Sequence, residues 1–364
     1  MIYIFKIWLD YTCFREERIM ANVTIKDIAK RCHVGVSTVS RAINNHPDIT
    51  PETKELIMNT IKELNYIPNN SARFLSRTHS KAIAVLVKGI RNTFFSELIP
   101  VIENECHELK HSCIIQYVAE NENELEVAIT LAKEKRLKGI IFLGGSFSHP
   151  KNQLQQLEIP YVLSTVGALD ESIASVSVDD EEESYKMTKY LLSLNHKRIA
   201  IICGPKEETS ISILRLMGYR KALEEQNMTF DSDLVCHMDM NDDCYSFETG
   251  YKLTKKLLER TDFTALYAAS DMLAIGACRA LKERGISVPE DCSVAGFDGL
   301  EVGDYYIPTI TTIVQPVEDI AKASTKLLFD MIEGKEGPRQ MLFKGELLKR
   351  ESTQQLEADL WKKD

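Results

Sequence analysis

Between Lys81 and Phe297, short runs rich in β-branched and apolar residues alternate with longer stretches of helical periodicity, and this constrains the fold more than any other feature of the chain. The strand-like runs are Ile83–Val87, Cys113–Val118, Gly139–Leu143, Tyr161–Thr165, Ser175–Val178, Arg198–Cys203, Leu234–Met238, Leu266–Ala269 and Ser293–Phe297. Helical stretches between them include Phe95–Leu109, Glu122–Lys135, Glu181–Leu194, Ile213–Gln226, Ser246–Glu259 and Met272–Arg284. Strand–helix alternation at this spacing builds parallel sheets covered on both faces, and the number of units predicts two of them. No Gly-x-Gly-x-x-Gly or Walker loop occurs, which disfavours a dinucleotide or nucleoside-triphosphate enzyme.

A chain of 364 residues leaves room for a small module before this region. The net charge of −10 argues at first against a nucleic-acid partner, but its distribution does not. Residues 20–79 carry eight basic against five acidic side chains, a balance of +3, residues 1–19 balance at zero, and the remainder carries −13. A basic tip on an acidic body can meet phosphates while the body stays clear of the duplex. The nine cysteines are scattered, odd in number and without a Cys-x-x-Cys, so a reduced cytoplasmic setting fits and no zinc site or other metal site is expected. Met1–Leu9 is apolar but interrupted by Lys6 and closed by Asp10, too short to span a bilayer and without a cleavage site. Residues 1–22 therefore read as an extension; either Met20 is the true initiator or the extension is genuine.

Residues 23–68 read as three short helices. Ile25, Ile28, Ala29 and Cys32 form one apolar face behind Thr24, a capping residue with Asp27 in the first turn. His33-Val34-Gly35 is a tight turn. A second helix from Val36 to Asn44 turns Val36, Val39, Ala42 and Ile43 inward and leaves Ser37, Ser40, Arg41 and Asn44 as a polar stripe. The third starts at the cap Thr50 with Pro51 in its first position, and its core stripe is Ile57, Met58, Ile61 and Leu64. Two short helices and a tight turn, the second bearing an arginine face, describe a helix-turn-helix; a plain three-helix module with a solvated face has the same pattern.

Val23-Thr-Ile-Lys-Asp-Ile-Ala, Val34-Gly-Val-Ser-Thr-Val-Ser-Arg-Ala-Ile-Asn44, Thr50-Pro-Glu-Thr and Leu64-Asn-Tyr-Ile-Pro-Asn69 together resemble the lactose-repressor/galactose-repressor (LacI/GalR) family of bacterial transcriptional regulators. The resemblance implies that Val36, Ser37 and Arg41 read base edges in the major groove, while Thr38, Ser40 and Asn44 mainly hold phosphates. Arg41 can donate two hydrogen bonds to guanine, whereas Val36 offers only apolar contact, as to a thymine methyl. Residues 69–79 are too short for an isolated helix and on propensity form a linker. The resemblance makes them a hinge helix that orders when two copies meet on DNA, with Leu75 as minor-groove wedge, Ala72 at the close helix approach and Arg73 reaching phosphate.

From residue 80 to 353 the chain is similar to the type I periplasmic-binding-protein fold of that family's sensing domain, through Lys138-Gly-Ile-Ile-Phe, Asn195-His-Lys-Arg-Ile-Ala, Arg215-Leu-Met-Gly-Tyr-Arg, Ala269-Ser-Asp-Met-Leu-Ala-Ile-Gly, Val294-Ala-Gly-Phe-Asp-Gly and Lys349-Arg-Glu-Ser-Thr. The fold class expected is thus an all-α helix-turn-helix headpiece plus an α/β two-lobed type I periplasmic-binding-protein-like domain. One lobe would comprise 80–178 plus 312–340, the other 179–311 plus the C-terminal end, with ligand in the crevice between them. By resemblance Phe95, Arg215 and Asp298 contact the effector, and Thr165, Ser270 and Asp271 are secondary candidates. On the residues alone Phe95 suits a core, Asp298 a helix cap and Arg215 a surface ion pair.

The reading is a homodimeric, non-enzymatic repressor of a pseudopalindromic double-stranded DNA operator, controlled by a small effector, by family a sugar, with a purine as the other choice. It needs no cofactor and no membrane. One alternative keeps the DNA role but places it under a phosphoprotein corepressor; the retained Arg215 argues against this. An exported sugar-binding protein would need a leader and no helix-turn-helix. The tail, 354–364, is too short for a heptad zipper, which favours dimer over tetramer.

Overall fold

The computed structural model describes residues 23–43, 46–64, 66, 81–89, 91–119, 122–145, 151–168, 170–206, 211–239 and 245–357. The chain divides into two compact units, Met1–Thr78 and His79–Asp364.

The first unit has three helices, α1 (Ile25–Arg31), α2 (Val36–Ile43) and α3 (Pro51–Glu63). The Asp27 carboxylate reaches back one turn and accepts from both the backbone N–H (2.8 Å) and the hydroxyl (2.6 Å) of Thr24. Thr50 caps α3 by accepting from the Thr53 N–H, with Pro51 in the first turn where its missing donor costs nothing. Ile28, Ala29, Cys32, Val39, Ala42 and Ile57 interdigitate as the core. Two expected core residues are corrected. Met58 is exposed, because the inward face of α3 runs from Ile57 through Thr60 to Ile61 and Leu64, and a side chain one residue past Ile57 is rotated by about 100°. Thr60 takes the core position: its hydroxyl donates to the Leu56 carbonyl and accepts from the Cys32 thiol, so its polarity is satisfied. Val36 is 42% exposed; it opens α2 a turn before Val39 and Ala42 reach Ile28 and Ile57.

The second unit alternates strand and helix: β1 (Ala82–Lys88), α4 (Phe94–Glu108), β2 (Ser112–Val118), α5 (Glu124–Lys135), β3 (Gly139–Leu143), α6 (Lys151–Leu154), β4 (Tyr161–Ser164), β5 (Ser175–Val178), α7 (Asp180–Ser193), β6 (Ile199–Cys203), α8 (Ile211–Glu225), β7 (Val235–His237), α9 (Phe247–Arg260), β8 (Ala265–Ala268), α10 (Asp271–Glu283), β9 (Ser293–Ala295), α11 (Val302–Tyr305), β10 (Thr312–Val314), α12 (Val317–Ile332), β11 (Gln340–Phe343) and β12 (Glu346–Leu348). One lobe holds a parallel sheet in the order β11-β5-β4-β3-β1-β2 and the other a parallel sheet in the order β7-β6-β8-β9. Ile140, Ile141, Phe142 and Leu143 are buried without alternation, as a strand covered on both faces requires. In the second lobe α8 packs on α7 so closely that a Cβ on Gly218 would strike the Glu181 carbonyl.

The chain crosses between lobes three times, and two crossings differ from expectation. β10 pairs antiparallel with β12 and continues the edge of the second sheet through bridges Ala295–Thr311 and Asp298–Val314, so 312–314 belongs to the second lobe, not the first. α12 then packs on β3, β4, β5 and α4 of the first lobe, and β11 pairs with β5, which extends that lobe to Phe343. Among the described residues no helix is long and apolar enough to cross a membrane.

Candidate functional site

Two surfaces carry the residues singled out from the sequence. On the first unit, α2 presents Val36, Ser37 and Arg41 to solvent, with Thr38 and Ser40 half-buried at the margin. Arg41 is anchored: its Nη1 donates to Asp48 Oδ2 at 3.0 Å, while the other oxygen of that carboxylate lies 2.6 Å from His46 Nδ1. Asp48 carries no motif of its own; an acid in a short turn after a helix reads as a turn former. Asn44, Ala72, Arg73 and Leu75, with the hinge 69–79, lie outside the described residues.

On the second unit, Arg215 lies in the second turn of α8 and is buried at the carboxyl edge of the four-stranded sheet. Its Nε donates to Asp180 Oδ1 (2.8 Å), its Nη1 donates to the Ala269 carbonyl (2.5 Å), and its guanidinium lies 3.6 Å over the Phe297 ring. Burial opposes its charge, but the carboxylates of Asp180 and Asp298 more than offset this and hold it protonated above its ordinary range. Asp180 opens α7; burial pushes its carboxyl up and Arg215 pulls it back. The sequence hid this partner, because four acids in a first helical turn are explained by the helix dipole alone.

Asp298 stands just past β9 at a φ of 107°, a conformation costly for a residue with a side chain and typical of functional sites. Gln315 Nε2 donates to its Oδ1 at 2.7 Å, and the backbone N–H of Gln315 donates to its carbonyl. Burial pushes the Asp298 carboxyl up to about 7, against the opposing pull of Arg215 and Gln315. At neutral pH the group can therefore both donate and accept. The neighbouring candidates are occupied by the scaffold. Ser270 caps α10 by accepting from the Leu273 N–H, and Asp271 Oδ2 accepts from the backbone N–H groups of Gly299 and Leu300. These bonds fix the loop that carries Asp298.

From the facing lobe, Thr93 Oγ1 reaches the Met272 sulfur at 3.3 Å, and Phe95 shares one apolar cluster with Met272 and Phe297. Phe95 is buried, its ring so close to Gly144 that a Cβ there would meet it at 2.6 Å. Glu97 and Glu301 approach across the lobes: burial and then Glu301 push the Glu97 carboxyl up. Thr165, at the carboxyl end of β4, has a φ of 73°, and its buried hydroxyl has no hydrogen-bond partner among the described residues. Arg215, Asp298, Ser270 and Asp271 thus meet at one sheet edge, Phe95 reaches it from the other lobe, and Thr165 stands at an edge of the first lobe's sheet. No group of three or more His, Cys, Asp or Glu among the described residues is arranged to hold a metal.

Comparison with known proteins gives each of the two units a family of its own. Residues 24–69 match the model for bacterial regulatory proteins of the lacI family, and residues 188–353 that for a periplasmic binding protein-like domain. The HTH-type transcriptional regulator MalR of Clostridium butyricum is 39% identical over 340 residues, 91% of this chain and 99% of its own length. Among solved structures, the lac repressor dimer bound to operator and the anti-inducer ONPF aligns with a TM-score of 0.73 at 27% identity, over 91% of this chain and 99% of that one. The transcriptional regulator CelR in complex with cellobiose aligns with a TM-score of 0.68 at 28% identity and the same coverage.

Proposed function

Because the chain belongs to the lacI family of bacterial regulatory proteins and is a DNA-binding transcriptional regulator, we propose that it is a homodimeric repressor whose grip on a pseudopalindromic operator is set by a sugar bound at Arg215 and Asp298. The observation that carries the effector half is the buried cluster of Arg215, Asp180, Asp298 and Phe297 at the carboxyl edge of the second sheet. An arginine donor and a carboxyl that both donates and accepts are groups that recognise vicinal hydroxyls of a sugar ring. The cellobiose complex of a relative supports this ligand class.

On DNA, Arg41 carries direct readout, with Ser37 and Val36 beside it and Thr38, Ser40 and Asn44 on the backbone. The chain segment 69–79 is the switch in this reading: when two copies are correctly spaced, Leu75 wedges the minor groove, Ala72 allows the close helix approach and Arg73 reaches phosphate. The dimer is supported by the operator-bound dimer of a relative.

A thermal-shift screen of mono- and disaccharides against nucleobases tests the effector class, because a ligand that binds only the folded state raises its melting temperature. At least one sugar should raise it in the native protein. Arg215→Lys, which keeps a charge beside Asp180, should lose the rise yet retain operator binding. A response to purines alone, or an undiminished sugar response in Arg215→Lys, overturns the assignment.

A further inference from the structure

Arg41 enters any encounter with DNA already held at one end. Its Nη1 is 3.0 Å from Asp48 Oδ2, and Asp48 Oδ1 is in turn 2.6 Å from His46 Nδ1. The His46 backbone N–H also donates to the Arg41 carbonyl, so the turn bearing Asp48 is tied to the end of α2. Both oxygens of the carboxylate are therefore used, and its position is set from two sides. A guanidinium reads guanine through two N–H groups along one edge of its plane. A carboxylate that accepts a hydrogen bond from Nη1 leaves the opposite edge, Nε and Nη2, for the base.

We propose that Asp48, oriented by His46, is a positioning residue for sequence readout: it holds Arg41 so that the free edge of the guanidinium addresses a guanine. This rests on the reading that Arg41 contacts a base. A negative charge on a DNA-facing surface weakens attraction to phosphates, so Asp48 raises discrimination at the expense of non-specific affinity. A bare phosphate-binding surface would gain from its loss.

The experiment uses the full-length protein and an operator selected from a random duplex pool. Each guanine in each half-site is replaced in turn, and the affinity ratio is measured for the native protein, Arg41→Ala, Asp48→Ala, Asp48→Asn and the Arg41/Asp48 double variant. Arg41→Ala should abolish discrimination at one guanine. Asp48→Ala should lower discrimination at that same guanine by about two- to five-fold, the range available to an exposed ion pair. It should do nothing further when Arg41 is already alanine. Asp48→Asn, which keeps an acceptor oxygen, should fall between, and binding to unrelated duplex should strengthen in both Asp48 variants. If Asp48→Ala strengthens binding to all duplexes equally and leaves every ratio intact, Asp48 is only a repulsive charge and the proposal is overturned. Absence of any guanine preference lost in Arg41→Ala would sink the arginine reading together with it.

Discussion

Two arginines, each paired with one aspartate, sit in opposite surroundings, one on the first unit and one in the second. Arg41 pairs with Asp48 at 3.0 Å with side chains 56% and 44% exposed; Arg215 pairs with Asp180 at 2.8 Å with side chains 5% and 1% exposed. The geometries are nearly equal and the energetics are not. The first pair is screened by water and salt and is worth at most about 1 kcal/mol, enough to bias the guanidinium without withholding its free edge. The second has lost its hydration, so neither member can be removed without stranding the other. A wet arginine is available to a partner at little cost, whereas a buried one is tied to its counter-ion.

The contrast is most exposed to failure at Asp180. Asp180→Ala should destabilise the second unit by about 3–5 kcal/mol, because Arg215 would be left charged and unpaired in the interior; a urea titration showing less than 1 kcal/mol would erase the distinction. Next comes the titration of Asp298. Its carboxyl ionises at about 7 in the fold against an ordinary 3.8, so between those values the folded protein keeps a proton that the unfolded chain has released. Stability conferred by the protonated group is complete below about pH 4 and declines as pH rises towards 7. Asp298→Asn should flatten that part of the urea-midpoint profile by an amount on the order of a few kcal/mol, and an unchanged profile would show that Asp298 is not buried as described. Arg41→Lys should cost about 1–3 kcal/mol of discrimination against operators lacking its guanine while binding to unrelated duplex persists, because lysine retains the charge but not the fork; competition binding at fixed salt measures both. Smallest of all, Asp48→Ala and Met58→Ser should each move the melting curve by no more than about 0.5 kcal/mol, as exposed positions do.

Much of this was legible along the chain. Thr50-Pro51 and the Ile25–Cys32 periodicity placed the headpiece helices, because caps and stripes are local signals. Gly139–Leu143 is readable as a strand to the residue because a buried parallel strand forms a continuous apolar run, and Ser175–Val178 through its alternating valines. Periodicity misplaced Val36 and Met58 because it fixes a face only to within one residue. β10, β11 and β12 leave little trace in the sequence, and β11 and β12 are half-exposed rather than continuous buried runs. Their pairings depend on partners far away in sequence. The same distance hid Asp180 from Arg215, 35 residues apart, whereas Asp48 lies only seven residues from Arg41 but in a turn whose composition already explains an acid.

The three crossings between lobes have a consequence for the order in which the chain can mature. The first lobe is not complete when its first five strands have been made. β11 and α12, with Leu328 seated against Gly139, arrive only after the whole of β6 to β10 has been synthesised. On the ribosome, one face of that early sheet must wait uncovered, and the second lobe in turn waits for β12 to pair with β10. Neither half is finished before the other, so the crevice and the walls around it come into being in one late, shared step.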